Sequence, residues 1–122
     1  AQTGTGKTLA YALPLVTKLL QDPKAAALVL VPTRELAIQV KATLIQVLSK
    51  ISAIKIAVLI GGEPMVKQLM QLKVQPRIIV GTPGRINDHL NRKSLKLEKT
   101  SFIVIDEADR MLDLGFEPQI RK

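Results

Sequence analysis

Two kinds of apolar spacing alternate along the chain. Short continuous runs of Val, Leu, Ile and Ala are too short for helices, and such runs are typical of strands covered on both faces of a parallel sheet. Between them, apolar residues return every three or four positions, which predicts helices with one buried face. The continuous runs predict strands at residues 25–31, 54–60, 78–80 and 101–105.

The intervening segments predict helices. The first extends from Thr8 to about Asp22, and Thr33 is predicted to cap the helix at residues 35–50. Further helices are predicted at residues 64–72, before residue 91, at 108–114 and from 117 onward. Strands that alternate with helices, without an internal repeat, indicate an α/β fold with a parallel sheet and flanking helices. In such folds, ligands gather at the carboxyl ends of the strands.

The composition indicates a soluble domain with a sizeable core. The chain has 122 residues, of which 47% are hydrophobic, and a mean hydropathy of +0.20. It has no cysteine and a single histidine, which excludes disulfides and a conventional zinc cluster. Its apolar stretches are well short of the roughly 20 residues of a membrane span, so we expect a cytoplasmic protein. We predict that His89 lies on the surface of a helix.

Positive charge is concentrated in the middle of the chain. The net charge is +8; residues 55–99 hold nine basic and three acidic residues, whereas residues 100–122 hold three and five. This imbalance indicates a polyanionic partner, most commonly nucleic acid, and a generally solvated basic surface is the open alternative. Three aromatic residues are too few for a base-stacking platform. Any nucleic acid is therefore expected to be held by its backbone.

The first eight residues nearly match a phosphate-binding loop, G-x-x-x-x-G-K-[ST], with Ala1 in place of the first glycine. Gly4 and Gly6 lack a Cβ and permit close approach of backbone N–H groups to phosphates. Lys7 supplies a positive charge for the β and γ phosphates, and the Thr8 hydroxyl suits Mg²⁺. A flexible turn before a helix is the alternative reading of the octapeptide.

A second motif follows the last predicted strand. The apolar run at 102–105 delivers two adjacent carboxylates, Asp106 and Glu107, at its carboxyl end. In phosphate-loop nucleotidases this arrangement divides two tasks: Asp106 would hold Mg²⁺, and Glu107 would orient or deprotonate the attacking water. A favourable start of a helix is the structural alternative for such a pair.

These two motifs occur together with other short sequences in a fixed order. Asp106-Glu107-Ala108-Asp109 reads DEAD, and upstream lie Pro32-Thr33-Arg34-Glu35-Leu36-Ala37, Gly61-Gly62 and Thr82-Pro83-Gly84-Arg85. With the opening octapeptide, the whole chain resembles the DEAD-box RNA helicases. The resemblance implies a RecA-like P-loop NTPase domain that uses ATP and Mg²⁺.

The resemblance also implies roles for individual residues. ATP would be bound by Thr3, Gly4, Thr5, Gly6, Lys7 and Thr8. Thr8 and Asp106 would bind Mg²⁺, and Lys7, Asp106 and Glu107 would serve hydrolysis. Ala108 and Asp109 would couple hydrolysis to the rest of the protein.

Three further loops are implied to line an RNA path, and each ends a predicted strand and precedes a helix. Their residues are Pro32, Thr33, Arg34 and Glu35, then Gly61 and Gly62, then Thr82, Pro83, Gly84 and Arg85. This agrees with their chemistry, because Gly84 at a helix start exposes backbone N–H groups and Arg85 can fork onto phosphate oxygens. For Arg34, an ion pair with a nearby carboxylate that organises the loop is the open alternative.

The resemblance further implies that residues 1–122 are part of one RecA-like domain, with a second RecA-like domain of the same protein as partner. The strand before the phosphate loop and the strand carrying a Ser-Ala-Thr motif are expected outside the chain. We therefore expect a sheet without its middle, unpaired edges on Ala27 to Val31 and on Phe102 to Ile105, and an inactive isolated chain. For the longer protein, ATP-dependent separation of RNA duplexes and an ATP-switched RNA clamp are both open.

Overall fold

Strands and helices alternate along the part of the chain that the structure describes. The computed structural model describes residues 4–49, 54–96, 98 and 100–106. In chain order the elements are α1 (Gly4–Gln21), β1 (Ala27–Leu30), α2 (Arg34–Val47), β2 (Ile56–Leu59), α3 (Met65–Lys73), β3 (Ile78–Gly81), α4 (Pro83–Arg92) and β4 (Phe102–Ile105). The α/β prediction is confirmed.

The four strands form one parallel sheet in the order β2-β3-β1-β4. Their last residues are in register, because Leu59 pairs with Gly81, Gly81 with Leu30, and Leu30 with Ile105. All four strands therefore end at the same level. The segments that follow them begin side by side along a single edge of the sheet.

The two faces of the sheet are covered by different helices. Val29 and Val80 belong to a core shared with buried residues of α1 and α2, such as Leu19 and Leu44. On the opposite face, Leu28, Leu30, Leu59 and Ile79 pack with Ile86 of α4, and Leu72 of α3 borders that cluster. Since successive side chains of a strand point to opposite faces, the continuous apolar runs seen in the sequence are explained by burial on both sides.

One expectation about the sheet is wrong. The strand at Ala27 to Val31 was expected to have an unpaired edge, but β1 lies inside the sheet and pairs with β3 on one side and β4 on the other. The sheet is continuous across its described strands rather than missing its middle. For Phe102 to Ile105, the described strands provide a partner along one side only, which is β1.

Among the helices, the first differs most from its predicted boundaries. α1 begins at Gly4 rather than at Thr8, so the glycines of the phosphate-binding motif occupy its first turn. Glycine lowers helix stability by up to about 1 kcal/mol relative to alanine. The apolar segment that follows outweighs it, since Leu15 and Leu19 are buried in the core. Among the described residues, no helix is long and apolar enough to span a membrane.

α4 is set against the sheet by a glycine. A Cβ on Gly81, the last residue of β3, would lie 2.6 Å from Ile86 Cδ1 and 2.7 Å from the Leu59 carbonyl oxygen. Any side chain at this position would push α4 away from the sheet. α4 has a proline in its first turn, and its C-cap residue, Lys93, has a φ of 64°, the left-handed conformation common after helix ends.

Candidate functional site

The candidate site is the edge of the sheet where all four strands end. Hydrogen bonds continue one residue past the strands, from Val31 N to Gly81 O at 3.0 Å, from Thr82 N to Leu59 O at 3.2 Å and from Asp106 N to Leu30 O at 2.9 Å. Four segments therefore leave the sheet side by side. In spatial order they are the glycine loop (residues 60–63), the Thr-Pro-Gly-Arg turn (82–85), the Pro-Thr-Arg-Glu segment (32–35) and Asp106.

At one end of this edge lie Thr8, Tyr11 and Asp106, which we call the acidic end. The Tyr11 hydroxyl donates a hydrogen bond to Asp106 Oδ2 at 3.1 Å. Thr8 is 1% exposed and Asp106 is 9% exposed. The structure thus brings α1, which carries Thr8, next to the end of β4. Tyr11 was missed from the sequence, although its position three residues after Thr8 puts both side chains on one helix face.

Tyr11 is fixed as a hydrogen-bond donor. Burial raises the pKa of its hydroxyl above the ordinary value, and the neighbouring Asp106 carboxylate raises the pKa further. The Thr8 side chain acts on this pKa in the opposite direction. The phenol therefore keeps its proton across the physiological range and restrains the Asp106 carboxylate.

Several predicted nucleotide-binding residues fall outside what the structure describes. Thr3, Glu107, Ala108 and Asp109 lie outside the described residues, and the backbone of Gly4, Thr5, Gly6 and Lys7 forms the first turn of α1. The first four N–H groups of a helix have no acceptor within it, so this turn offers donors to an anion. The donor set fits Mg²⁺, which prefers hard oxygen ligands and is commonly held by one or two protein groups together with phosphates.

At the other end of the edge, which we call the arginine end, Arg34 lies against the glycine loop. A Cβ on Gly62 would be 2.9 Å from Arg34 Nη1 and 3.1 Å from its Cζ. Gly62 also has a φ of +85°, which L side chains rarely adopt. The ion pair found among the described residues joins Lys67 and Glu63, so no described carboxylate pairs with Arg34.

Arg85 holds the same loop from the Thr-Pro-Gly-Arg turn. Its Nε donates to the Ile60 carbonyl at 3.2 Å, and its Nη2 donates to the Glu63 carbonyl at 2.9 Å. These two carbonyls flank Gly61 and Gly62. The guanidinium expected to fork onto phosphate thus directs two of its donors at the backbone of its own protein, and it joins two of the three predicted RNA-path loops.

The two threonines that precede helices at this edge are used differently. Thr33 caps α2, since its Oγ1 accepts a hydrogen bond from Leu36 N at 3.2 Å, which confirms the predicted cap. Thr82 occupies the equivalent position before α4 but makes no side-chain capping bond. The Thr82 hydroxyl is therefore not needed to cap the start of α4. In the Pro-Thr-Arg-Glu segment, Pro32 is buried and Glu35 is exposed in the first turn of α2.

Two glycines at this edge have no internal structural reason to be glycine. A Cβ on Gly61 or on Gly84 would meet no atom within 4 Å, and neither residue has a φ in the left-handed region. Gly84 is exposed in the first turn of α4, directly after Pro83. The space beside both residues is open to an outside molecule.

His89 is not on the surface, as was predicted, but fully buried. Its Nδ1 lies 2.8 Å from Ser94 Oγ and its Nε2 lies 2.8 Å from Gln68 Oε1. The helix spacing contained the signal, because His89 lies three residues after buried Ile86 and so shares its inward face. The pKa of His89 is lowered, chiefly by burial and then by the charges of Arg85 and Arg92, with Asp88 opposing.

Comparison with known proteins agrees with this arrangement. The family model for DEAD/DEAH box helicase matches residues 1–122, which is the whole chain. The chain belongs to the DEAD/DEAH box helicase family. Among curated relatives, it is 49% identical over 117 residues to the ATP-dependent RNA helicase CshA of Listeria monocytogenes and 47% identical over 117 residues to the DEAD-box ATP-dependent RNA helicase CshA of Bacillus subtilis.

Solved structures of DEAD-box proteins share the fold. The crystal structure of the yeast DEAD-box splicing factor Prp28 matches 98% of this chain with a TM-score of 0.85 and 36% identity, and the chain covers 30% of it. A hypothetical ATP-dependent RNA helicase from Sulfolobus tokodaii matches 95% of the chain with a TM-score of 0.81 and 36% identity, and 33% of it is covered. The RecA-like prediction is confirmed. The alignments to the CshA relatives cover 95% of this chain but 22–25% of those proteins.

Proposed function

We propose that this chain is the part of an ATP-dependent RNA helicase that binds ATP with Mg²⁺ at the acidic end and the RNA sugar-phosphate backbone at the arginine end. One observation carries the proposal: the register of the strands brings both groups of residues to one edge of one sheet. The relatives named as ATP-dependent RNA helicases support it. A parallel α/β sheet is expected to bind its ligands at this edge.

At the acidic end, the proposed division of labour follows the chemistry of the side chains. The first turn of α1 would bind the phosphates through its N–H groups, and Lys7 would add a positive charge. Thr8 and Asp106 would hold Mg²⁺, which when bound neutralises charge on the phosphates. Tyr11 would keep the Asp106 carboxylate in place through its hydrogen bond. Glu107 would orient or deprotonate the attacking water.

At the arginine end, the proposed contacts are with phosphates and sugars rather than bases. Gly61 and Gly84 leave room for a ligand backbone, and the uncapped start of α4 offers N–H groups and the Thr82 hydroxyl. Arg34 lies over the glycine loop and adds positive charge. Such contacts position an RNA strand without reading its sequence.

We further propose that ATP hydrolysis is coupled to local separation of an RNA duplex, with a second RecA-like domain of the same protein closing over both ligands. An RNA clamp that rarely separates strands would use the same contacts. Single-turnover hydrolysis and strand separation by the full-length protein distinguish the two: rapid release of a short strand supports a helicase, whereas prolonged retention of RNA with little release identifies a clamp.

The RNA assignment can be tested at Gly84. In the full-length protein, Gly84→Ala should leave the free energy of unfolding unchanged or slightly raised, since alanine favours a helix. The added methyl group would obstruct a strand lying against α4, and RNA affinity should fall about tenfold, roughly the value of one hydrogen bond of 1.4 kcal/mol. Asn91→Ala, an exposed position at the far end of α4, is the control. Unchanged RNA affinity in Gly84→Ala would contradict the proposed contact.

A further inference from the structure

A chain of buried side chains joins α4 to the inner side of the glycine loop. From His89, the chain passes to Gln68 on α3, which is also fully buried. Gln68 Nε2 donates to the Ile60 carbonyl at 2.7 Å and lies 3.3 Å from Glu63 Oε1. Among the described residues, no buried side-chain nitrogen or oxygen is left without a partner. These hydrogen-bonded side chains therefore satisfy one another's buried polar groups, which would be costly to leave unpaired.

The donor and the acceptor can be assigned in the hydrogen bond between His89 and Gln68. Both hydrogens of the Gln68 amide nitrogen are directed at acceptors, so Oε1 of Gln68 must accept. The group that faces it, His89 Nε2, must then donate. The other nitrogen, Nδ1, lies 2.8 Å from the Ser94 hydroxyl, which also donates to the His89 carbonyl oxygen at 3.2 Å. The contact with Gln68 thus selects a ring with a proton on Nε2.

We propose that His89 is a positioning residue for RNA binding: through Gln68 it holds Ile60 and Glu63, and thereby the shape of the glycine loop between them. The proposal rests on the proposed function of the arginine end. Arg85 donates hydrogen bonds to the carbonyls of the same two residues. The Ile60 carbonyl accepts from both Arg85 and Gln68, so two side chains hold the same loop.

The consequence is that RNA affinity depends on a side chain that does not touch RNA. Without a donor at the His89 Nε2 position, the Gln68 amide is free to turn, and its contacts with Ile60 and Glu63 are weakened. Gly62 then loses the support that keeps it under Arg34. The acidic end lies at β4, separated from the glycine loop by β3 and β1, and its described side chains share no hydrogen bond with His89 or Gln68, so nucleotide affinity should not respond.

Two substitutions of His89 test this in the full-length protein. His89→Gln places an amide nitrogen near the former Nε2 and keeps a donor for Gln68, whereas His89→Asn reaches only the former Nδ1 position. We expect RNA affinity within about twofold of wild type for His89→Gln and about tenfold weaker for His89→Asn. Affinity for ATP measured without RNA should be unchanged in both. Equal RNA affinities of the two variants would overturn the proposal.

A second measurement is independent of RNA and of the variants' folding. Imidazole ¹⁵N NMR of the wild-type protein at neutral pH should show His89 protonated on Nε2 and unprotonated on Nδ1. A proton on Nδ1 alone would overturn the proposed direction of the chain. If wild-type protein shows this tautomer but does not bind RNA, the proposed function of the arginine end fails while the geometry of the chain stands.

Discussion

The two ends of the functional edge are built differently. At the arginine end, the glycine loop is fixed by Arg85, by Gln68 and by a glycine at φ +85° beneath Arg34. At the acidic end, the Tyr11 hydroxyl donates a hydrogen bond to Asp106. The first end is shaped by contacts within the protein. At the second end, Tyr11 joins α1 to the end of β4.

This difference suits the two proposed ligands. An RNA backbone presents repeated phosphates, and a preformed surface can bind it without the cost of ordering loops. A nucleotide with Mg²⁺ would instead be held by the charged and metal-binding groups proposed at the acidic end. Substitutions at the arginine end should therefore act through shape, and those at the acidic end through chemistry.

The largest effect is expected at the acidic end. In the full-length protein, Lys7→Ala should abolish measurable nucleotide binding, because it removes the charge proposed to face the phosphates. Glu107→Gln should leave nucleotide affinity nearly intact and block turnover, because its proposed role is chemical. Nucleotide affinity by calorimetry and single-turnover hydrolysis separate the two. Equal loss of binding in both variants would contradict the assignment.

At the arginine end, the two neighbouring glycines should behave unequally. Gly62→Ala should lower the free energy of unfolding by about 1–2 kcal/mol, the cost of a left-handed conformation for an L residue, and should displace Arg34. Gly61→Ala is the matched control, with no atom within 4 Å of the added methyl group, and should change the free energy by less than about 0.5 kcal/mol. Denaturant titration of both variants measures these changes in the free energy of unfolding. Equal destabilisation would show that the loop is not strained at Gly62.

The two threonines provide a smaller contrast. Thr33→Ala removes a helix cap and should lower the free energy of unfolding by about 1 kcal/mol. Thr82→Ala removes no capping bond and should leave stability nearly unchanged while weakening RNA binding by severalfold. Denaturation and RNA titration of both variants test this. The assignment of the Thr82 hydroxyl to RNA fails if RNA affinity is unaffected.

The smallest expected effect is on the pH dependence of folding stability. The pKa of His89 is lowered in the folded protein, while an unfolded chain has a histidine pKa of about 6.5. The unfolded state therefore binds more protons below about pH 6.5, and the stability contributed by neutral His89 is complete above that pH and declines as pH falls. Denaturation between about pH 5 and pH 7.5 should show this decline in the wild type and a weaker one in His89→Gln. Identical pH profiles would argue against a buried neutral ring.

Local patterns predicted the strands, the Thr33 cap and the motifs at the strand ends, because each depends on neighbours in sequence. They did not predict the order of strands, so β1 was wrongly given an unpaired edge; pairing with β3 and β4 is a long-range property. His89 and Tyr11 were missed for the same reason. A polar residue on an inward helix face is acceptable only if partners from other elements reach it, as Gln68 and Asp106 do.

The central claim is that one sheet edge carries two separate binding functions, and a pair of variants tests it most directly. Arg85→Ala and Tyr11→Phe should be compared in the full-length protein for affinity to RNAs of different sequence and for ATP affinity without RNA. Arg85→Ala should weaken binding of all RNA sequences about equally, because the glycine loop loses its two hydrogen bonds to Arg85, with ATP affinity unchanged. Tyr11→Phe should weaken ATP binding with Mg²⁺ and leave RNA affinity unchanged. The division of the edge is wrong if both variants lose both affinities to the same extent. It is also wrong if Arg85→Ala loses only ATP affinity and Tyr11→Phe loses only RNA affinity.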